Sequence, residues 1–299
     1  MSYSKASPRP YNRSSRARAP YQTSRSARFS PRDEQPRGRS GGRSNDQREP
    51  NESTSWGKVA PWYNKLVGSD GHYYHEHVVM PGVLKLLHLS PEDSLIDLGC
   101  GQGILSRRIP PIQNYHGIDI AEDLIKEAER KNKKAQYTFQ TGDVSRIIRG
   151  AEPIFSHAAI ILALQNIQEP KTALKNAANF LIPGGKLVIT INHPCFRIPR
   201  QSGWNTDEKT KLQSRWINRY MSSMKIPINM HPGKQEKTLT WSFHHSLQDI
   251  STMLQEAGFV IAHIEEWTSD KESEGRAAKM ENRARAEIPL FMTIVAEKK

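Results

Sequence analysis

The sequence predicts an α/β fold built on a parallel sheet, and three observations carry that reading. An apolar run, Leu95-Ile96-Asp97-Leu98, breaks into the glycine-rich turn Gly99-Cys100-Gly101-Gln102-Gly103 and then into a helix start. Tyr115-His116-Gly117-Ile118-Asp119-Ile120 reads as a second strand, closing on an acid about 20 residues beyond Gly99. Short apolar strands then alternate with amphipathic helices to the end of the chain, the pattern of strand–helix–strand units with a parallel sheet.

The mostly apolar run from Ser94 to Leu98 suits a strand covered on both faces, and Gly99, Gly101 and Gly103 let the backbone approach a ligand closely. Amides at the helix start, near Gln102 to Leu105, favour a negatively charged group. A dinucleotide fingerprint needs G-x-G-x-x-G, and this turn reads G-x-G-x-G with Ile104 in the last glycine's place, which makes a dehydrogenase the weakest reading. A carboxylate at Asp119 lies where it can accept both hydroxyl protons of a ribose.

Charge divides the 299-residue chain unevenly. Residues 1–50 hold eleven arginines and Lys5 against Asp33, Glu34, Asp46 and Glu49, which places +8 of the formal net charge of +12 in that segment. Residues 1–55 are rich in Ser, Arg, Pro and Gly with almost no aliphatics, a composition that cannot bury enough apolar surface to offset its ordering entropy. A disordered tail is therefore expected there, with a domain over 56–299. Tyr3, Tyr11, Tyr21 and Phe29 among the arginines resemble RNA-binding tails, and a solvating tail without a partner fits equally well. Pro and Gly oppose the amphipathic helix of a transit peptide. Two cysteines, Cys100 and Cys195, make no disulfide framework, no run approaches membrane-spanning length, and a cytoplasmic location is the expectation.

Taken in order, Trp56 to Leu89 predicts a helical cap, with Trp62-Tyr63, Leu66-Val67 and Tyr73-Tyr74-His75 as its aromatic and apolar marks. Pro81 opens a helix whose buried side is Val83, Leu86 and Leu87, ending at Ser90-Pro91. Ala121 to Lys133 is helical, with Leu124, Ile125 and Ala128 inside. Tyr137 to Thr141 alternates as a third strand and leads into Gly142-Asp143-Val144. Phe155 begins a fourth strand, Lys171 to Leu181 is a helix, and Ile182-Pro183-Gly184-Gly185-Lys186 turns into a fifth strand, Leu187 to Ile191. Leu247 to Ala257 is an amphipathic helix, Phe259 to Trp267 a strand, Ser269 to Ala286 a charged loop, and Pro289 to Ala296 the last strand.

These motifs together resemble the class I S-adenosylmethionine (SAM)-dependent methyltransferases, most closely the broad small-molecule and ubiquinone/menaquinone-biosynthesis group. The resemblance implies a Rossmann-like, doubly wound sheet with a final antiparallel strand and SAM as cofactor. It implies cofactor contacts at Asp97, Gly99, Gly101, Gly103, Asp119, Ile120, Asp143, Val144 and Ile160. The stretch from Phe155 to Pro170 is similar to the family's F-D-x-V…L-x-x-I-x-D-P segment, with two departures: Ser156 replaces the acid, and Gln165-Asn166 stands where many small-molecule enzymes carry histidine.

After the fifth strand an insertion at about 192–241 interrupts the pattern. Ligands bind outside the carboxyl ends of strands in such sheets, so the insertion reads as a substrate lid. Asn192-His193-Pro194-Cys195 has weak analogies with the N-P-P-Y box of DNA amino-methylating enzymes and the cysteine of RNA cytosine-C5 enzymes. His193 is the candidate general base, weighed against a turn histidine bonded to backbone. Cys195 reads as a small buried hydrophobe. Tyr74, Gln165, Arg197 and Trp204 are the candidate acceptor contacts, and no metal-ligand spacing appears. The expected activity is methyl transfer to O, N or C of a small-molecule acceptor. The alternatives are an RNA-modifying enzyme recruited by the tail and a non-catalytic SAM- or RNA-binding module.

Overall fold

A computed structural model describes residues 72–229 and 239–299. The tail, the Trp62-Tyr63 and Leu66-Val67 part of the expected cap, and residues 230–238 of the insertion lie outside the described residues. A π-helical turn, His75–Val79, runs into α1 (Met80–Leu87), with Pro81 in its first turn and His88 closing it in the left-handed conformation. Val79, Met80, Val83 and Leu87 are its buried side, whereas Leu86 is only partly covered.

The Rossmann-like core follows. Strands β1 (Ser94–Leu98), β2 (Asn114–Asp119), β3 (Tyr137–Thr141), β4 (Phe155–Ile161), β5 (Leu181–Asn192), β10 (Phe259–Trp267) and β11 (Phe291–Lys298) form one seven-stranded sheet in the order β10-β11-β5-β4-β1-β2-β3. The five strands from β5 to β3 pair in parallel, and β11 is antiparallel to both β5 and β10. Helices α2 (Ile104–Arg108), α3 (Glu122–Lys131) and α4 (Pro170–Phe180) supply the parallel crossovers. Leu95, Ile96, Leu98 and Asp97 are all buried because the central strand is covered on both faces. One apolar cluster packs α4 and α5 (Leu247–Glu256) against the sheet, and a second packs α1 and α2 on the other side.

Three expectations change. The Ile182–Lys186 turn is an irregularity inside β5, with Leu181 already paired to Phe155 before the register shifts. Gly184, at φ +75°, permits the kink without leaving the sheet. The charged stretch after Trp267 contains α6 (Ala278–Glu287), of which only Ala284 is buried, so its apolar stripe is too thin to read as periodicity. The insertion is built from two antiparallel hairpins, β6 (Ser202–Asp207) with β7 (Leu212–Ile217), and β8 (Met224–Asn229) with β9 (Leu239–His244). β7 packs on α6 and β9 on the 3-10 turn Leu164–Asn166.

Candidate functional site

The site grows from the end of β1. Gly99, Gly101 and Gly103 have φ of +82°, +55° and +71°, conformations that L side chains resist. The amides of Gly99 and Cys100 both donate to the Ile118 carbonyl, at 2.7 and 3.1 Å, tying the loop to the end of β2. The third glycine has another reason: a Cβ on Gly103 would lie 3.1 Å from both Ala128 and Phe139, so this residue lets the loop pack on α3 and β3 and lines neither cavity described below.

Asp119 ends β2 with its carboxylate turned to the loop. Oδ2 accepts from the Gly101 amide and Oδ1 from the Ala121 amide, each at 2.9 Å. A second lone pair on each oxygen remains for a ligand. Burial raises its pKa, and the amides of Ala121, Gly101 and Ile120 oppose that shift. Beside it a cavity of about 710 Å³ is lined by Gly99, Gly101, Asp119, Ile120, Asp143 and Val144, which the sequence singled out, and by Leu124, Ser145, Ile161, Leu162, Ala163 and Asn166–Gln168. Asp143 is held by Ser145, whose amide and hydroxyl both donate to Oδ1, and by Arg146 at 3.2 Å. Ile160 is fully buried in the core and does not line this cavity; its neighbour Ile161 supplies the apolar wall, because successive strand residues face opposite sides.

A second lobe shares Gly99, Gly101 and Ile161 and adds His75, Met80, Asp97, Cys100, Gln102, Ile104 and Leu105. Asp97 accepts a 2.7 Å hydrogen bond from the Tyr115 hydroxyl. Burial, helped by the charge of Asp119, pushes its pKa up to about 7 against the pull of that hydrogen bond. Burial also drives the Cys100 thiol well above its ordinary value, which leaves it unreactive. The His75 imidazole is pushed down to about 4, chiefly by burial and then by His72.

The residues present fit SAM. An acid at the end of β2 faces one lobe among Ile120, Leu124, Val144, Ile161 and Ile167, a surface for a flat ring. A buried acid, Asp97, borders the other lobe, where a cationic amine would be favoured. The backbone at Gly101 borders both lobes, and a Cβ there would meet no protein atom within 4 Å.

Beyond the sheet end, Tyr74, Arg197 and Trp204 come together with Arg215 and Ile288–Leu290 around a cleft of about 570 Å³. Gln165 lies elsewhere, in a neighbouring cavity that Arg197 also borders, together with Asn192, His244 and His245. Its amide donates to the Leu162 carbonyl at 2.9 Å, while Gln165 Oε1 and His245 Nε2 are buried and find no partner among the described residues. Sequence reasoning missed His245 and Arg215; the His244-His245 pair ahead of the Ser246 helix cap was the available signal for the first, and a half-buried cation on a largely exposed strand, as Arg215 is, gives none.

His193 is not placed as a base. It is 2% exposed, its Nε2 lies 2.6 Å from Glu266 Oε1, and its Nδ1 accepts the Cys195 amide at 3.1 Å. Accepting at Nδ1 puts the proton on Nε2, donated to Glu266, so neither nitrogen is left for an acceptor. The ring is the cross-link between the turn after β5 and strand β10. Among the described residues no group of three or more His, Cys, Asp or Glu is arranged to hold a metal, and no helix is long and apolar enough to cross a membrane.

Comparison with known proteins adds a methyltransferase domain match over residues 96–189, from β1 through most of β5. An uncharacterised methyltransferase of Schizosaccharomyces pombe is 24% identical over 188 residues, 61% of this chain and 65% of that one. The ubiquinone biosynthesis O-methyltransferase of Coxiella burnetii is 30% identical over 102 residues, 33% of this chain and 43% of that one. The chain thus spans less than two thirds of the length of these relatives. The crystal structure of a SAM-dependent methyltransferase from Mesorhizobium loti superposes with a TM-score of 0.59 at 22% identity, covering 75% of this chain and 99% of that one.

Proposed function

We propose that the chain is a class I SAM-dependent methyltransferase that methylates a small-molecule acceptor, a reading supported by its fold, its glycine loop and the methyltransferase domain match over residues 96–189. When bound, SAM supplies a sulfonium-activated methyl group, an electrophile that needs little further activation. The chain's task is then to hold and align, and orientation alone is worth roughly 7–11 kcal/mol of a barrier. In this reading Asp119 accepts the ribose hydroxyls, Ile120, Asp143 and Val144 take the adenine, and Asp97 with the glycine-loop backbone takes the amino-acid end. The insertion at about 192–241 and Tyr74 wall the acceptor. With His193 committed to Glu266, the proton of an O–H or N–H acceptor leaves to water or to the acceptor's own groups, since a general base typically adds only ~10²–10⁴-fold.

The observation that carries the reading is the Asp119 carboxylate, fixed by the Gly101 amide at 2.9 Å and lining the larger cavity. Asp119→Ala removes charged hydrogen bonds worth roughly 1.5–3 kcal/mol, so calorimetry is expected to show SAM affinity falling by one to two orders of magnitude in a protein that still folds. Unchanged affinity would remove Asp119 from the site, and preferential binding of NAD by the wild type would end the assignment. A second reading, methylation of RNA, is favoured by the +8 charge of residues 1–50. A third, a SAM-binding module without turnover, is tested by mass spectrometry of acceptors before and after incubation with SAM.

A further inference from the structure

Among the described residues, Arg197 and Arg215 are cations without anions. Arg197 Nη1 donates to the Leu290 carbonyl at 3.3 Å, and its guanidinium stands 5.1 Å from the Phe291 ring centre. Arg215 donates to the Phe196 carbonyl at 2.7 Å and to Ser202 Oγ at 2.9 Å, and it stacks 5.1 Å from Trp204. Neither pairs with a carboxylate among the described residues. Burial lowers the pKa of both; at Arg197 the Tyr74 phenol opposes that shift and the charge of Arg215 adds to it. Two like charges partly drawn out of water at one place are stabilised when an anion joins them. Each guanidinium has N–H groups to spare, in the planar fork that matches a carboxylate or phosphate.

The surroundings add the rest of a ligand's outline. Trp204 and Tyr74 offer ring surface, and Ile288, Pro289 and Leu290 give the cleft an apolar side. The cleft is open to solvent along one side, so a ligand can enter it without rearrangement of the fold. Tyr74 borders this cleft while its neighbour His75 borders the glycine-loop lobe, so the two spaces adjoin across one stretch of backbone.

We propose that the cleft between Tyr74, Arg197, Trp204 and Arg215 binds the acceptor through an anionic group: a small molecule with a flat apolar body and a carboxylate or phosphate. The methyl-transfer reading is needed only for calling that molecule the acceptor; the anion site stands apart from it.

The test is calorimetry on the full chain with benzoate, phenyl phosphate, benzyl alcohol, a uridine decanucleotide and, separately, SAM. Benzoate or phenyl phosphate is expected to bind at least tenfold more tightly than neutral benzyl alcohol, and the tighter of the two identifies which anion the site takes. Arg215→Gln and Arg197→Gln are each expected to weaken that binding at least tenfold while SAM affinity stays within twofold. Arg197 is the more buried, so Arg215→Gln decides if Arg197→Gln does not fold. Equal binding of benzoate, phenyl phosphate and benzyl alcohol, no binding of either anion, or unchanged anion binding in Arg215→Gln overturns the proposal. So does decanucleotide binding tighter than either small anion and lost in the same variant, which would give the cleft to a nucleic-acid backbone. Anion binding as expected with no affinity for SAM would keep the cleft and reject methyl transfer.

Discussion

Asp97 and Asp119 lie on neighbouring strands, and burial raises the pKa of both, yet the two differ in what opposes the shift. Asp119 is supported by backbone amides, whereas Asp97 has the Tyr115 hydroxyl and is pushed up to about 7. The folded value lies above the ordinary 3.8, so protonated Asp97 is the stable form and its contribution to stability falls as pH rises from about 4 through about 7. A cationic amine beside Asp97 favours the carboxylate instead. SAM affinity is therefore expected to rise with pH up to about 7 and then level, with proton release measurable by calorimetry in buffers of different ionisation enthalpy. Asp97→Asn is expected to abolish that release and to raise the melting temperature of the ligand-free protein at pH 8. Release unchanged in the variant would place the titrating group elsewhere. Such acids were legible in the sequence because a glycine loop fixes where the next strand ends. His193 was not, because its partner Glu266 lies on a strand 73 residues away. Its replacement by Ala is expected to lower the melting temperature while leaving SAM affinity intact, a split that calorimetry and thermal denaturation resolve.

Elements were read well wherever burial imposed a period. β1, β3 and β10 fall on the predicted residues, since a strand covered on both faces or alternating across the sheet leaves a clear pattern. The hairpins of the insertion left none: β6 and β7 are largely exposed, so their pairing comes from backbone and from contacts such as Trp216 against Gly203. Helix α1 depends on one close contact invisible in sequence. A Cβ on Gly82 would lie 2.3 Å from Trp267 Cζ2, so β10 locks the helix through a residue with no side chain. Gly82→Ala forces the indole or the helix to move, at roughly 1–3 kcal/mol, and helix α1 carries Met80, a wall of the glycine-loop lobe. Lower thermal stability together with weaker SAM binding is expected. Ser246→Ala, which breaks the capping box of α5 with Asp249 on the far side of the sheet, is expected to cost about 1 kcal/mol and to spare SAM binding. Equal effects of the two variants on SAM would remove α1 from the site.

At the scale of the whole molecule, the strand order brings the ends of β1, β2 and β4 to one edge, and β5 carries the insertion to that same edge. The cofactor lobes and the arginine cleft are neighbours because of this topology, whereas the charge of the chain is distributed without regard to it. Residues 1–50 carry +8 of +12, lie outside the described residues, and contain almost no aliphatic side chains for a core. Deleting them is expected to leave the melting temperature and SAM affinity nearly unchanged. Their charge gives the RNA reading its own signature: low-salt binding of single-stranded RNA, tolerant of sequence, falling with salt at a log–log slope of about −0.7 per phosphate neutralised. If RNA docks through this segment, the deletion abolishes most of that binding and leaves the response of the arginine cleft to benzoate or phenyl phosphate intact, because the two depend on different cations. Full-length and shortened proteins with equally negligible RNA affinity at low salt would reject the RNA role. RNA binding that survives the deletion but fails in Arg215→Gln would move it from the tail to the cleft and turn the acceptor from a small molecule to a polynucleotide.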